Sequence, residues 1–301
     1  MNILLVGHEG YLGRALFAYL GRRHRVFGWD KKENIFNISA SFLAQENIEA
    51  LINFSVVADR QSRTYQLDAP ADEVNVAGAR HLARTLKGSD IAWFQMSTRE
   101  IFGSVYGPKD VIKTKAGYRP KWLVDETFPF APQNFYSKSK LIAEFISESH
   151  PRSNVIRLST CYTDFDFSGG NNWVVQLGRA AVLDKSVSLT RGGLQFRDPL
   201  HIDDLGRLIE RLFERKIFSE RIHAGGGKRN LISLKEFVSL AEPAVKIKKL
   251  AGGDNGFAFD NRKAFRLTGW KPQVLFRDKI PAIVQNIRLG IAQPAAPGDE
   301  K

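Results

Sequence analysis

One cysteine, Cys161, is all that this 301-residue chain carries, which excludes an intrachain disulfide and any multi-cysteine metal site. Its six histidines, at 8, 24, 81, 150, 201 and 223, never fall in an H-x-x-x-H pair, so no structural metal is expected. No run approaches the ~20 apolar residues of a membrane span. The opening MNILLVGHEG lacks the basic-then-apolar layout of a secretory leader, so a cytosolic location is expected. Internal repeats and low-complexity tracts are also absent.

What the chain does have in excess is positive charge. A formal +12 from 44 Lys and Arg admits nucleic acid, an anionic membrane face or an acidic small molecule. The basic residues are scattered in short groups such as GRRHR, DKK and KIKK, with no aromatic-interleaved block. A generally basic surface therefore fits better than nucleic-acid binding, and anionic metabolites fit as well as polynucleotides do.

The first two thirds alternate short apolar runs with helical stretches, the pattern of a parallel sheet covered on both faces. Candidate strands are 2–6, 25–29, 50–54, 91–96 and 154–159, with helices near 11–22, 39–47, 70–87 and 133–149. The expected fold is α/β: a Rossmann-type doubly wound parallel sheet over residues 1–160, followed by a smaller mixed lobe over 161–292. Segment 190–225 is expected to return to the sheet. Helices are expected near 171–184, 202–215, 261–268 and 276–290, and the polar tail at 293–301 should fray.

The stretch NILLVGHEGYLGRALFAYL sets Gly7, Gly10 and Gly13 after the first strand and at the opening of the first helix. Glycines there permit a tight turn, let backbone approach a pyrophosphate and pack helix on strand, while the helix N-terminus supplies N–H groups and positive dipole. Asp30 follows the second strand, where a carboxylate accepts the adenosine ribose hydroxyls and repels a 2′-phosphate. NAD is thus favoured over NADP, although Lys31 and Lys32 soften that preference.

FYSKSKLIAEF, residues 135–145, contains Tyr136-x-x-x-Lys140, a spacing that puts both residues on one helix face. Behind a dinucleotide motif it gains meaning, and the chain resembles the extended short-chain dehydrogenase/reductase family of nucleotide-sugar epimerases, dehydratases and reductases. The matching motifs occur in order: G-x-x-G-x-x-G, NFSVVAD (53–59), VNVAGARHLA (74–83), MSTREIFG (96–103), Tyr136-x-x-x-Lys140, FRDPLHIDDLGRLI (196–209), HAGGGKRNLISLKEF and RKAFRLTGWKP. The resemblance covers nearly the whole chain. It implies an enzyme of polysaccharide-precursor chemistry with a nucleotide-sugar substrate. It also implies cofactor contacts from Gly7, Gly10, Tyr11, Leu12, Gly13, Asp30, Asn37, Phe54, Ser55, Asn75, Tyr136 and Lys140.

In the chemistry so implied, Tyr136 is general acid and base on a sugar hydroxyl whose carbon passes hydride to NAD, because an adjacent ammonium favours the phenolate. Lys140 also holds the nicotinamide ribose, and Thr98 bonds the same substrate oxygen. The family's 4,6-dehydratases carry Thr-Asp-Glu where this chain has Thr98-Arg99-Glu100, so the expected acid is missing and dehydration is disfavoured. Glu100 leaves decarboxylation of a uronic acid open, and Arg99 is either a contact to an acidic substrate or a solvated surface residue.

An epimerase-type reaction needs only Thr98, Tyr136, Lys140 and retained NAD. The alternatives are an NAD(P)H-dependent keto-sugar reductase, since RLSTCYTDFDFSGGNNWV is similar to the dTDP-4-dehydrorhamnose reductases, and a non-catalytic nucleotide-binding member. Thr160, Cys161, Tyr162 and Thr163 replace the family's usual Asn and Tyr-Gly-Pro. Only Lys248 and Lys249 stand where a diphosphate-binding arginine is usual, which leaves Arg197 as the candidate for the diphosphate and Asn172 as its neighbour. A homodimer through the helices near 70–87 and 133–149 is also expected.

Overall fold

A computed structural model describes residues 1–56, 72–164 and 172–290. Its centre is a six-stranded parallel sheet. Strands β1 (Asn2–Val6), β2 (Arg25–Trp29), β3 (Ala50–Asn53) and β4 (Ala92–Thr98) are joined by a strand at Ser153–Leu158 and another at Glu220–Ala224. Across the sheet the order runs Glu220–Ala224, Ser153–Leu158, β4, β3, β1, β2. The winding direction reverses between β1 and β3, the place where open α/β sheets hold ligands beyond their strand ends.

The apolar runs become strands because side chains alternate between faces and both faces are covered. Ile3 and Leu5 point into one core with Leu16, Leu20, Leu205, Leu208 and Trp270. Leu4 and Val6 point into the other with Leu43, Leu82, Leu86 and Trp93. Helices α1 (Tyr11–Leu20), α2 (Ala40–Gln45), α3 (Gly78–Thr85) and α4 (Phe135–Ser147) follow the expected positions in shortened form. The described part of the 70–87 helix opens as a π-helical turn, Asp72–Ala77, before α3. Strand β4 runs two residues beyond its expected end, so Ser97 and Thr98 are strand residues.

The second lobe has its own core, in which Tyr162, Val174, Val175, Phe237, Phe276, Ile280 and Ile283 pack together. It is built from α5 (Trp173–Arg179), α7 (Leu234–Ala241), α9 (Phe276–Gly290) and a strand pair, Ser186–Thr190 with Lys246–Leu250. The lobes are interleaved in sequence. Helix α6 (Ile202–Glu214) packs on α1, and Trp270, just past α8 (Arg262–Thr268), sits in the first core. Segment 190–225 does supply the outer strand Glu220–Ala224, paired with Ser153–Leu158. No strand bounds within that segment and no helix at α7 are read from the sequence. Among the described residues no helix is long and apolar enough to cross a membrane.

Candidate active site

The turn between β1 and α1 is shaped by close approach. Gly7 has φ +88°, and a Cβ there would lie 2.9 Å from the Phe54 carbonyl carbon and the Ser55 nitrogen. A Cβ on Gly13 would lie 1.9 Å from the Gly7 oxygen, so α1 can seat on the turn only without a side chain. Gly10 is different: an added Cβ would meet only the Gly7 oxygen, at 3.4 Å. Its role is to leave the mouth of the turn open. Tyr11 fastens the start of α1 across to the second lobe, its hydroxyl donating to the Thr163 carbonyl and accepting from the Thr163 N–H, each at 3.1 Å.

A cleft of about 450 Å³ opens from this turn and is lined by Gly7, Gly10, Asp30, Lys31, Ile35, Phe54 and Ser55, among others. The Asp30 carboxylate is fixed in it by the N–H groups of Glu9 and Lys31, both at 2.8 Å. Asn37 does not line it; its amide donates to the Glu33 carbonyl.

A second cleft of about 730 Å³ begins at the same glycines and Leu12 and reaches Thr98, Arg99, Glu100, Tyr136, Asn172 and Arg197. Thr98 ends β4, and its Oγ1 accepts the Glu100 N–H at 3.2 Å. Tyr136 stands in the first turn of α4. That turn is set by a reciprocal cap in which Asn134 Oδ1 accepts from Ser137 N at 2.8 Å and Ser137 Oγ accepts from Asn134 N at 3.2 Å. Lys140 lies one turn on and is only 4% exposed. Burial pulls its ammonium down from the usual lysine range to about 8, against an opposing pull from Glu144. Asn75, also buried, donates to Ser139 Oγ at 2.9 Å and so ties the π-helical turn to α4 beside Lys140.

Beneath Lys140 runs a polar chain that sequence reasoning missed. Glu144 and Arg157 are fully buried and paired at 2.8 Å, with further Nε contacts of 3.1 and 3.2 Å. Ser97 donates to the same carboxylate, and Arg157 reaches His223 Nε2 at 3.4 Å. Lys140-x-x-x-Glu144 was visible in sequence as another same-face pair, but its partner Arg157 comes from the neighbouring strand.

On the substrate side two expected contacts are occupied by the protein itself. Arg197 makes a two-pronged pair with Asp254, both bonds at 2.9 Å. Asn172 caps α5, accepting from Val175 N at 3.1 Å and donating to the Cys161 carbonyl at 3.1 Å. Lys248 and Lys249 are exposed in their strand and line neither cleft. Arg99 is no solvated surface residue: it lines the cleft with its guanidinium 5.2 Å above the Phe257 ring. Asp198 was also missed, although it sits inside the FRDP motif. It is fully buried and receives hydrogen bonds from the Ser159 hydroxyl and from Phe259 N, yet burial still lifts its carboxyl to about 7.

An open glycine mouth, a helix N-terminus and a fixed carboxylate, set where two clefts meet at the glycine turn, fit a dinucleotide with its pyrophosphate at α1 and a ribose at Asp30. Comparison with known proteins agrees. Residues 3–223 match the model of the NAD-dependent epimerase/dehydratase family. The dTDP-glucose 4,6-dehydratase of Neisseria gonorrhoeae is 22% identical, with 94% of each chain covered. A dTDP-4-dehydrorhamnose reductase of Mycobacterium tuberculosis is 25% identical over 74% of this chain and 69% of its own. Among solved structures, the UDP-glucuronic acid 4-epimerase of Bacillus cereus, in complex with UDP-glucuronic acid and NAD, superposes with a TM-score of 0.80 at 20% identity, covering 96% of this chain and 99% of that one. Because the matched stretch runs through both the glycine turn and the Tyr136–Lys140 helix, the chain belongs to the NAD-dependent epimerase/dehydratase family of enzymes and shares that family's cofactor, NAD.

Proposed function

We propose that the protein is a redox-neutral, epimerase-type enzyme acting on a nucleotide sugar. The observation that carries this reading is that Thr98 and Tyr136 line one cleft with the glycine turn, with Lys140 buried one helical turn beyond Tyr136. The Thr98 oxygen already accepts from Glu100 N, so its proton is left to donate to a sugar oxygen. Tyr136 removes the proton of that sugar hydroxyl, and the Lys140 ammonium favours the phenolate this requires. NAD, when bound, supplies the hydride acceptor and later donor. Once the keto sugar has presented its other face, Tyr136 returns the proton and the carbon is inverted.

Elimination of water is not supported, even though relatives bear the dehydratase name. Position 99, next to Thr98, holds an arginine, which cannot protonate a leaving hydroxyl at neutral pH. The test is to heat-denature the purified protein and identify the released nucleotide by mass spectrometry. Stoichiometric NAD without net consumption of reduced cofactor is expected. An empty site that prefers NADPH would overturn the reading in favour of a keto-sugar reductase.

The same reading includes a homodimer through α3 and α4, which pack side by side. Helix α4 presents Ile142 and Phe145 to the outside, 42% and 50% exposed. Light scattering should give twice the 33.9 kDa chain mass, and Phe145→Asp should give the single mass.

A further inference from the structure

The two cations of the second cleft are not held alike. Arg197 and Arg99 both line it, but Arg197 is neutralised in a two-pronged pair by Asp254. Arg99 has no such partner: among the described residues its guanidinium makes no ion pair and no hydrogen bond, and it lies over the Phe257 ring at 5.2 Å. The nearby acids do not fill the gap. Asp254 is committed to Arg197, Asp198 is itself held by Ser159 and Phe259 N, and Glu100, next in the chain, accepts from Asn134 Nδ2 at 3.4 Å and forms no ion pair with Arg99. Segment 254–257 thus delivers both the carboxylate that occupies one arginine and the ring that supports the other.

A cation drawn out of water with no carboxylate paired directly to it is costly unless a ligand supplies that pair. Burial and the neighbouring Arg197, in that order, weaken the hold of Arg99 on its proton, and the more distant pulls of Asp254, Glu100 and Asp198 offset this only in part. The residue adjoins Thr98, so its Cα lies about 3.8 Å from that of the residue assigned to the reacting oxygen. A guanidinium stacked on an aromatic face keeps its edge free for two parallel bonds to an oxyanion.

We propose that Arg99 is the anion-recognition residue of the substrate pocket, pairing with a carboxylate on the sugar or with a phosphate oxygen of the nucleotide. The inference rests on the nucleotide-sugar reading above and adds that the substrate reaches the Thr98–Tyr136 centre with a negative group held at its side. Arg99 binds and orients; it takes no part in the proton or hydride steps.

The test is calorimetric titration of the NAD-loaded wild type, Arg99→Met and Arg99→Lys with UDP-glucuronate, UDP-glucose, UDP, dTDP-glucose and dTDP. Melting temperatures are recorded alongside. Loss of a charge-assisted pair predicts about 10- to 100-fold weaker binding by Arg99→Met, an unchanged or higher melting temperature, and partial recovery in Arg99→Lys. Loss confined to UDP-glucuronate identifies a sugar carboxylate. Equal loss for a nucleotide and its sugar forms identifies the phosphates. Wild-type affinity of Arg99→Met for every probe, or a melting temperature lowered by several degrees with affinity intact, would show a merely structural arginine. Absence of binding by any probe to the wild type also overturns the proposal. The nucleotide-release assay and Tyr136→Phe then decide separately whether the underlying reading survives.

Discussion

Replacing Lys140 by methionine should stabilise the protein while disabling it. The wild-type ammonium is 4% exposed and has been drawn down from 10.5 to about 8, chiefly by burial. At pH 7 the side chain is protonated in both folded and unfolded states, so folding must bury the charge. A shift of that size corresponds to about 3 kcal/mol. Methionine has similar length and no charge, so Lys140→Met should recover most of that sum at pH 7. The sign with pH follows from linkage. Between about 8 and 10.5 the unfolded chain binds the extra proton, so wild-type stability gains on the variant as pH rises. By pH 9.5 the advantage of the variant should fall to between about 1 and 2 kcal/mol. Urea unfolding of cofactor-free wild type and variant at pH 7.0 and 9.5, with equal slopes, measures both numbers. A variant less stable than wild type at pH 7, or a difference that does not shrink with pH, would refute this account of Lys140 as a buried, unfavourable charge kept for function.

Other consequences are equally direct. Tyr136→Phe should lower turnover by about 10² to 10⁴, the usual worth of a positioned acid or base, with NAD retained on the protein; normal turnover would remove Tyr136 from the chemistry. Turnover should decline as pH rises through about 8, where Lys140 loses its proton, and Lys140→Arg should move that limb upward. Gly13→Ala would place a methyl 1.9 Å from the Gly7 oxygen, so purified variant should contain no NAD even where it folds. Arg157→Met leaves the Glu144 carboxylate buried without its partner and should cost about 3–5 kcal/mol, most of which the double variant with Glu144→Gln should restore.

Much of the fold was legible because the central strands are buried on both faces and read as unbroken apolar runs. The outer strand Glu220–Ala224 was not, since ERIHA carries Arg221 and His223. Tertiary contacts compensate those polar groups: Arg221 with Glu148, and the His223 ring with the Val124 carbonyl at 3.0 Å. At the site, local signals carried far. The glycine turn and Tyr136–Lys140 are short-range patterns, and the structure sets Tyr136 in one cleft with the turn and Lys140 buried behind it. Asn172 was readable as a cap, an Asn directly before WVVQL, but was weighed as a ligand. The Arg197–Asp254 pair spans 57 residues and leaves no periodic trace, so nothing local warned that Arg197 is occupied and Arg99 is not.

The outer strand also has a consequence for how the chain is made. Residues of Ser153–Leu158 wait for partners 66 positions later in the chain. At synthesis rates of about 5–20 residues per second, the inner strands stand with an unpaired edge for roughly 3 to 13 s. During that interval the nascent protein exposes the backbone of a strand whose end, Leu158, lines the Thr98–Tyr136 cleft. Ribosome pausing shortly before codon 220 should therefore raise aggregation, whereas pausing far enough past codon 224 for that strand to have left the ribosome should not.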